Sequence, residues 1–448
     1  MVFVEIALVS AFLLFCINKK VVSILYLMMV LLPLHGTIKT ILFSDGGNIF
    51  AVWKEIGIFF ILLKTRKMNS LVSSLKGNYL IFAIYCLMFL LIGIDNGYVV
   101  SGGVKKIFFP FLLLWGISKI NFTRRNIEFF FFTVFLGSIF INIFGVIDFF
   151  SPSMRMVFRN LMHAGYTIAS DGTIYYDTTS YKIMGFDRIC GLMAGGPNQF
   201  GVFNSAIVLL SLLCNSNYIN RGISKTKKYI WVLATILSVW MLLVSFSRAG
   251  WAIVAITLFI QAIFDKKYRA KALVALFVVT IVLAAAMFLI PQVYQVVEGT
   301  FTGKEASSAM RAQMTQDSMH ILLENPFGSG LGASDHGGMK YMAFAESAMI
   351  NFGYEIGIIG ILMLSILMLK IEIKCWKNRN RLSIAKFGYS FLIAYYITSW
   401  VSVNPYENPF VYYAWMIIGL SLNKTFNKIQ YERFYITKTS TKIPKKME

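Results

Sequence analysis

Apolar runs of about 15 to 22 residues recur from one end of this chain to the other, and that pattern restricts the fold more than any motif does. A helix needs about 20 residues to cross roughly 30 Å of hydrocarbon. Hydrocarbon offers no partner to a free backbone N–H or C=O, so runs of this kind are helical where they cross. Of the 448 residues, 57% are hydrophobic and 14% charged, which is the composition of a chain dissolved in a bilayer. The fold class is therefore all-α: a polytopic transmembrane helix bundle of about 12–13 spans with two long extracytoplasmic loops. The apolar runs centre on residues 3–17, 21–34, 49–63, 79–94, 107–118, 127–149, 191–215, 229–245, 250–264, 272–290, 346–369, 387–403 and 409–422. The second, fifth and last of these are short for a span. No repeat and no linker divides the chain, so residues 1–448 form a single integral membrane domain. The first run follows Met1 with no basic region and no small-residue cleavage site, so it is expected to stay as a helix.

Charge sets the expected topology. If connections alternate sides, one side collects Lys19 and Lys20, the cluster from Lys64 to Lys76, Lys119 with Arg124 and Arg125, Arg221 to Lys228, Lys266 to Lys271, Lys370 to Lys386 and the basic tail 424–448. Most of the 42 Lys and Arg lie there, which places that side and the C-terminus in the cytoplasm. The formal charge of +21 is thus mainly a topology signal, and the tail is suited to anionic lipid headgroups. Basic residues confined to short loops do not make a nucleic-acid face. The opposite side receives the loops 150–190 and 291–345, and connections this long usually carry function.

Three arginines stand apart from the cytoplasmic clusters: Arg188, Arg248 in SFSRAGW, and Arg311. An arginine at a membrane surface is commonly an interfacial anchor; three on the outward side favour a ligand. A guanidinium is planar, permanently charged and forked, so it grips phosphate oxygens bidentately, and a diphosphate is its natural ligand here. The turn GGPNQFG from Gly195 opens a span and is either plain helix entry or an anion site at a helix start. In the second loop, residues 307–325 read as an amphipathic helix on the membrane surface, capped by Ser307 or Ser308, with Met310, Met314 and Ile321 in one stripe. Glu346 comes where the chain re-enters the membrane, a depth at which a carboxylate is expensive unless paired or functional. It is the candidate general base, against a helix-start carboxylate held by the helix dipole. Glu355 in the same span reads as structural, and Lys54 and Glu55 receive no chemistry.

The five cysteines and four histidines are scattered without ligand spacing, so neither a disulfide framework nor a zinc site is indicated. The outward carboxylates include no DxD, and no GxSxG, P-loop or dinucleotide turn occurs. No metal and no cofactor is expected.

Four ordered segments carry a family resemblance: RICGLMAGGPNQFG from Arg188, SFSRAGW from Ser245, the stretch from Arg311 through NPFGSGLG, and ESAMINFGYEIGIIG from Glu346 to Gly360. Together they are similar to the O-antigen polymerase and O-antigen ligase family, multi-spanning enzymes that act on undecaprenyl-diphosphate-linked glycans. The resemblance implies that Arg188, Arg248 and Arg311 hold the donor diphosphate, with Asn198, Ser247 and His336 as further substrate-binding groups. The ligase branch has a histidine eleven residues before the first glycine of the final GxxG; here that glycine is Gly357 and the position holds Glu346. The E-S pair resembles the polymerase branch. The implied activity is metal-independent, inverting polymerisation of lipid-linked oligosaccharide repeat units at the outer face of the bacterial plasma membrane. The implied partners are lipid-linked glycans, membrane lipid and a chain-length regulator. The rivals are a ligase acting on lipid A core or another acceptor, and a glycan flippase or transporter, which would show repeated halves or broken helices at the midplane.

Overall fold

The computed structural model describes residues 2–43, 49–68, 70–162, 166–168, 174–176, 181–183, 186–215, 225–265, 269–289, 306–334, 346–379, 384–407 and 409–427, with single positions at 294, 295, 298, 302 and 382. Every apolar run found in the sequence contains helix. The first part comprises α1 (Val2–Asn18), α2 (Val21–Leu31), α3 (His35–Phe43), α4 (Trp53–Thr65), α5 (Lys76–Asp95), α6 (Ser101–Ile107), α7 (Phe109–Lys119), α8 (Arg124–Phe150) and α9 (Pro152–Leu161). The second comprises α10 (Gly196–Asn215), α11 (Lys225–Val244), α12 (Arg248–Phe264), α13 (Arg269–Leu289), α14 (Ala306–Glu324), α15 (Ala348–Asn378), α16 (Ala385–Val401) and α17 (Phe410–Ser421).

Among the described residues, five helical stretches are long and apolar enough to cross a membrane: Val21–Phe43, Leu71–Asp95, Arg124–Phe150, Lys225–Val244 and Ala348–Asn378. On α15, Ile359, Leu362, Ile366, Leu369 and Ile373 are exposed at alternating spacings of three and four, a stripe that only lipid can cover. The protein is a multi-pass membrane protein with an all-α bundle.

Two departures from the sequence reading concern the short spans. The second run does not stop at residue 34: Pro33 sits in a 3-10 turn, Leu32–Leu34, and the chain continues as α3 to Phe43. The last run remains short, yet all twelve residues of α17 are buried. It packs against α7, α10 and α16 and is the apolar centre of the bundle, not a lipid-facing span. The basic ends of α7 and α17 meet, and so do those of α1 and α4. Asn423, just past α17, donates to the carbonyls of Ile117 and Ile120 at the end of α7, and Lys64 at the end of α4 donates to those of Ile17 and Lys19.

The loops add two amendments. The first long loop contains α9 and two small antiparallel hairpins, Tyr166–Ile168 with Ile174–Tyr176 and Lys182–Ile183 with Phe186–Asp187. In the second, Ser307 and Ser308 are already helical within α14, where the sequence reading put one of them at its cap. This helix packs on α15. Ser318 and Leu322 are buried while Met314 and Ile321 are half-buried, so the packing face is rotated from the predicted stripe; the side chain of Met310 lies outside the described residues.

Ten residues into its length, α15 is broken. Gly357 has φ 73° and ψ 173°, so the i to i−4 ladder fails there. The segment after α14 repairs it. Ser329 N–H donates to the Tyr354 carbonyl (2.8 Å), Gly330 N–H to that of Glu355 (3.0 Å) and the Tyr85 hydroxyl to that of Ile356 (2.9 Å), while Ile358 N–H reaches Pro326 O (2.9 Å). A Cβ at Gly357 would stand 2.6 Å from the Phe327 carbonyl oxygen. Gly357→Ala therefore combines a positive φ with a backbone clash, and is expected to destabilise the protein by more than about 1 kcal/mol. A lowered unfolding temperature of the purified variant in detergent is the expected observation; an unchanged one would mean that the break is not required.

Candidate functional site

The site is assembled at the end of the bundle opposite the basic ends. Its first element is a buried carboxylate. Asp148, two residues before the end of α8, is 2% exposed and accepts from Gly191 N–H (2.8 Å), Cys190 N–H (3.0 Å) and Arg155 Nε (3.0 Å). Arg155 on α9 also donates to Asp187 (2.6 Å), as does Arg159 (3.4 Å), whose guanidinium stands 5.2 Å from the Tyr181 ring. Gly191 has φ 54°, and a Cβ there would come within 2.8 Å of Gly145 N, so the turn lies flush against α8. Desolvation, reinforced by Asp148 and opposed by Arg159, Arg188 and Arg155, pushes the Cys190 thiol up to about 12. A thiol held neutral in this way is not a nucleophile.

This turn delivers Arg188 into the protein. The residue is 4% exposed; its Nε donates to Ser245 O (3.0 Å), and its Nη2 to Asn198 Oδ1 (2.5 Å) and Phe246 O (3.3 Å). Phe246, between those carbonyls and Ser247, has φ 50°, an uncommon value for a bulky residue that costs about 1–3 kcal/mol. The guanidinium holds that strained turn in place. Ser247 completes the junction: its hydroxyl donates to Asn198 O (3.0 Å) and accepts from Gly250 N–H (3.4 Å), capping α12. Arg248 is the first residue of α12 and is half-buried.

Four residues singled out in the sequence, Arg188, Asn198, Ser247 and Arg248, thus meet in one junction. Arg188 holds two protein carbonyls and the Asn198 amide oxygen there. A chain of contacts leads on to Glu346. Gln199 Nε2 reaches Glu407 Oε2 (3.5 Å), just after a 3-10 turn at Asn404–Tyr406. Tyr406 meets Phe352 of α15 edge to face, with ring centroids 4.8 Å apart. Ser347, the cap of α15, donates to Ser399 O at the end of α16 (3.5 Å). Glu346 precedes that cap and is half-buried.

The backbone of Arg311 is in α14, which packs on α15, but its side chain lies outside the described residues, as does the whole of His336. Glu355 is buried and accepts from the Ser334 hydroxyl at 2.5 Å, which ties it to the segment that repairs α15. Lys54 and Glu55 are buried in the first turn of α4. No cluster of His, Cys, Asp or Glu among the described residues has the arrangement to hold a metal.

Sequence reasoning passed over Asp148, Arg155, Arg159 and Asp187, and over Lys106 with Glu407. The one available signal was Asp148 itself, a carboxylate inside the end of a strongly apolar run.

Residues 233–365 match the family model described as O-antigen ligase. The match covers less than a third of the chain; it includes Ser247, Arg248, Arg311, Glu346 and the glycine pair Gly357 and Gly360, and begins after Arg188 and Asn198. No curated protein and no solved structure matches. The match takes in the last three of the four resembling segments and supports membrane glycan processing of the ligase or polymerase type.

Lysine at position 188 keeps the charge but not the fork that reaches two carbonyls and an amide. Arg188→Lys is expected to lose about 1–3 kcal/mol of stability with no substrate present. Thermal unfolding of the purified protein tests this, and a variant that unfolds at the parental temperature would remove the clamp.

Proposed function

We propose that this protein is a glycosyltransferase that polymerises undecaprenyl-diphosphate-linked oligosaccharide repeat units at the outer face of the bacterial plasma membrane. The observation that carries the reading is the junction of Arg188, Asn198, Ser247 and Arg248, from which contacts through Gln199, Glu407, Tyr406 and Phe352 lead to the start of α15 beside Glu346; Ser247, Arg248 and Glu346 fall within the matched segment. In this reading Arg248 and Arg311 hold the donor diphosphate, and Arg188 fixes the turn from which Arg248 projects. Preorganised positive charge stabilises the diphosphate as it leaves with the electron pair of the anomeric C–O bond. Glu346 takes the proton of the acceptor hydroxyl, whose oxygen forms the new bond to the anomeric carbon. A single displacement inverts that carbon, and the leaving group supplies the driving force with no nucleotide.

A second reading has one observation in its favour: the matched family is described as a ligase. The protein would then move finished glycan to lipid A core or another acceptor. The surface glycan of a deletion strain separates the two. Single repeat units on carrier or core are the outcome expected here, whereas long chains left on the carrier would establish the ligase.

Glu346→Gln retains shape and hydrogen bonding but loses the base, so the transfer rate is expected to fall by about 10² to 10⁴. Donor affinity should stay near the parental value. Polymerisation by purified enzyme on lipid-linked repeat units checks both, and a rate within a few-fold of the parent would return Glu346 to a helix-start carboxylate.

A further inference from the structure

Near the junction of Arg188 and Asn198 lies an ion pair that neither the sequence motifs nor the matched segment includes. Lys106 Nζ stands 3.1 Å from Glu407 Oε1, and each side chain is 28% exposed. The other carboxylate oxygen receives Gln199 Nε2, and Gln199 is the neighbour of the asparagine that binds Arg188.

The depth of the pair is unusual. Glu407 precedes the start of α17 and Lys106 that of α7, and those helices, of twelve and eleven residues, are each about 17 Å long at 1.5 Å per residue. The hydrocarbon is about 30 Å thick. If the basic ends lie at the cytoplasmic surface, helices of this length carry the pair past the middle of the hydrocarbon but short of its far side. Charged groups at such depth pair with one another or face a water-filled or substrate-filled space, and these two do the first while each keeps 28% of its side chain exposed. Close beside the pair, α3 packs against the strand of chain before Asn198: Gly36 lies against Ala194 and Thr37 donates to the Leu192 carbonyl.

The three groups suit a carbohydrate more than a second phosphate. A carboxylate accepts hydrogen bonds from neighbouring sugar hydroxyls, an ammonium donates and a carboxamide does both. The net charge of the three groups is zero, whereas the diphosphate is assigned to arginines. We infer that Glu407, Lys106 and Gln199 form the acceptor-sugar subsite, holding the hydroxyls of the incoming glycan's terminal residue beside the donor diphosphate. This inference rests on the glycan-transfer reading.

The test uses full-length protein in detergent and two probes. One is undecaprenyl diphosphate; the other is the phosphate-free oligosaccharide released by mild acid from the lipid-linked pool of a deletion strain. Glu407→Gln and Lys106→Met are each expected to weaken oligosaccharide binding at least tenfold and to leave undecaprenyl diphosphate binding unchanged. The exchanged pair, Lys106→Glu with Glu407→Lys, rebuilds the ion pair with its polarity reversed. It is expected to recover the parental unfolding temperature but not oligosaccharide binding. Parental binding by either single variant, or its recovery in the exchanged pair, would make this a structural ion pair and overturn the subsite. If the parent binds undecaprenyl diphosphate but no oligosaccharide, the subsite alone fails; if it binds neither, the glycan-transfer reading fails with it.

Discussion

Within hydrocarbon every backbone N–H and C=O has to find a partner inside the protein, and the irregular parts of this structure are arranged around that requirement. A straight helix meets it alone. Where α15 breaks at Gly357, the segment from Pro326 to Gly330 supplies N–H and carbonyl partners in register with the gap. Where α11 ends and α12 begins, the released carbonyls of Ser245 and Phe246 are taken by one guanidinium. Both repairs come from parts of the chain far away in sequence, so both local shapes depend on tertiary assembly.

The same economy governs charge. Asp148 is buried, but its carboxylate meets two backbone N–H groups and an arginine, and Asp187 sits between two arginines. Removing one partner from such a network usually costs more than the network contributes, since the other charge is left behind in a poor solvent. The network fixes the turn at 188–191, the turn aims Arg188, and Arg188 holds the strained Phe246 ahead of Ser247 and Arg248. Catalytic placement in this reading is thus inherited from a buried aspartate that touches no substrate.

Hydropathy made the helices legible, because it records the preference of each segment for lipid over water. It did not say which helices would be central: α17 was one of three runs read as short for a span, and every one of its residues is buried. The arginines were legible as outliers from the charge pattern, but the role of Arg188 was not, since it is defined by two carbonyls 57 and 58 residues further on. Glu407 and Gln199 are separated by 208 residues, a pairing no local pattern could announce. What a sequence shows of a membrane protein is how each segment meets its solvent, and the site here is made of segments meeting one another.

The contact between Arg188 and Ser245 also sets an order of events during biogenesis. When Arg188 leaves the ribosome, the carbonyls that it will bind have not been synthesised, and they become available only once α10 and α11 have both been inserted. Until then the arginine must wait on the water side of the membrane, and the Phe246 turn has no reason to adopt its costly conformation. The junction is therefore closed by the insertion of later helices and not by local folding, which makes α11 the step that converts a set of threaded spans into a formed site.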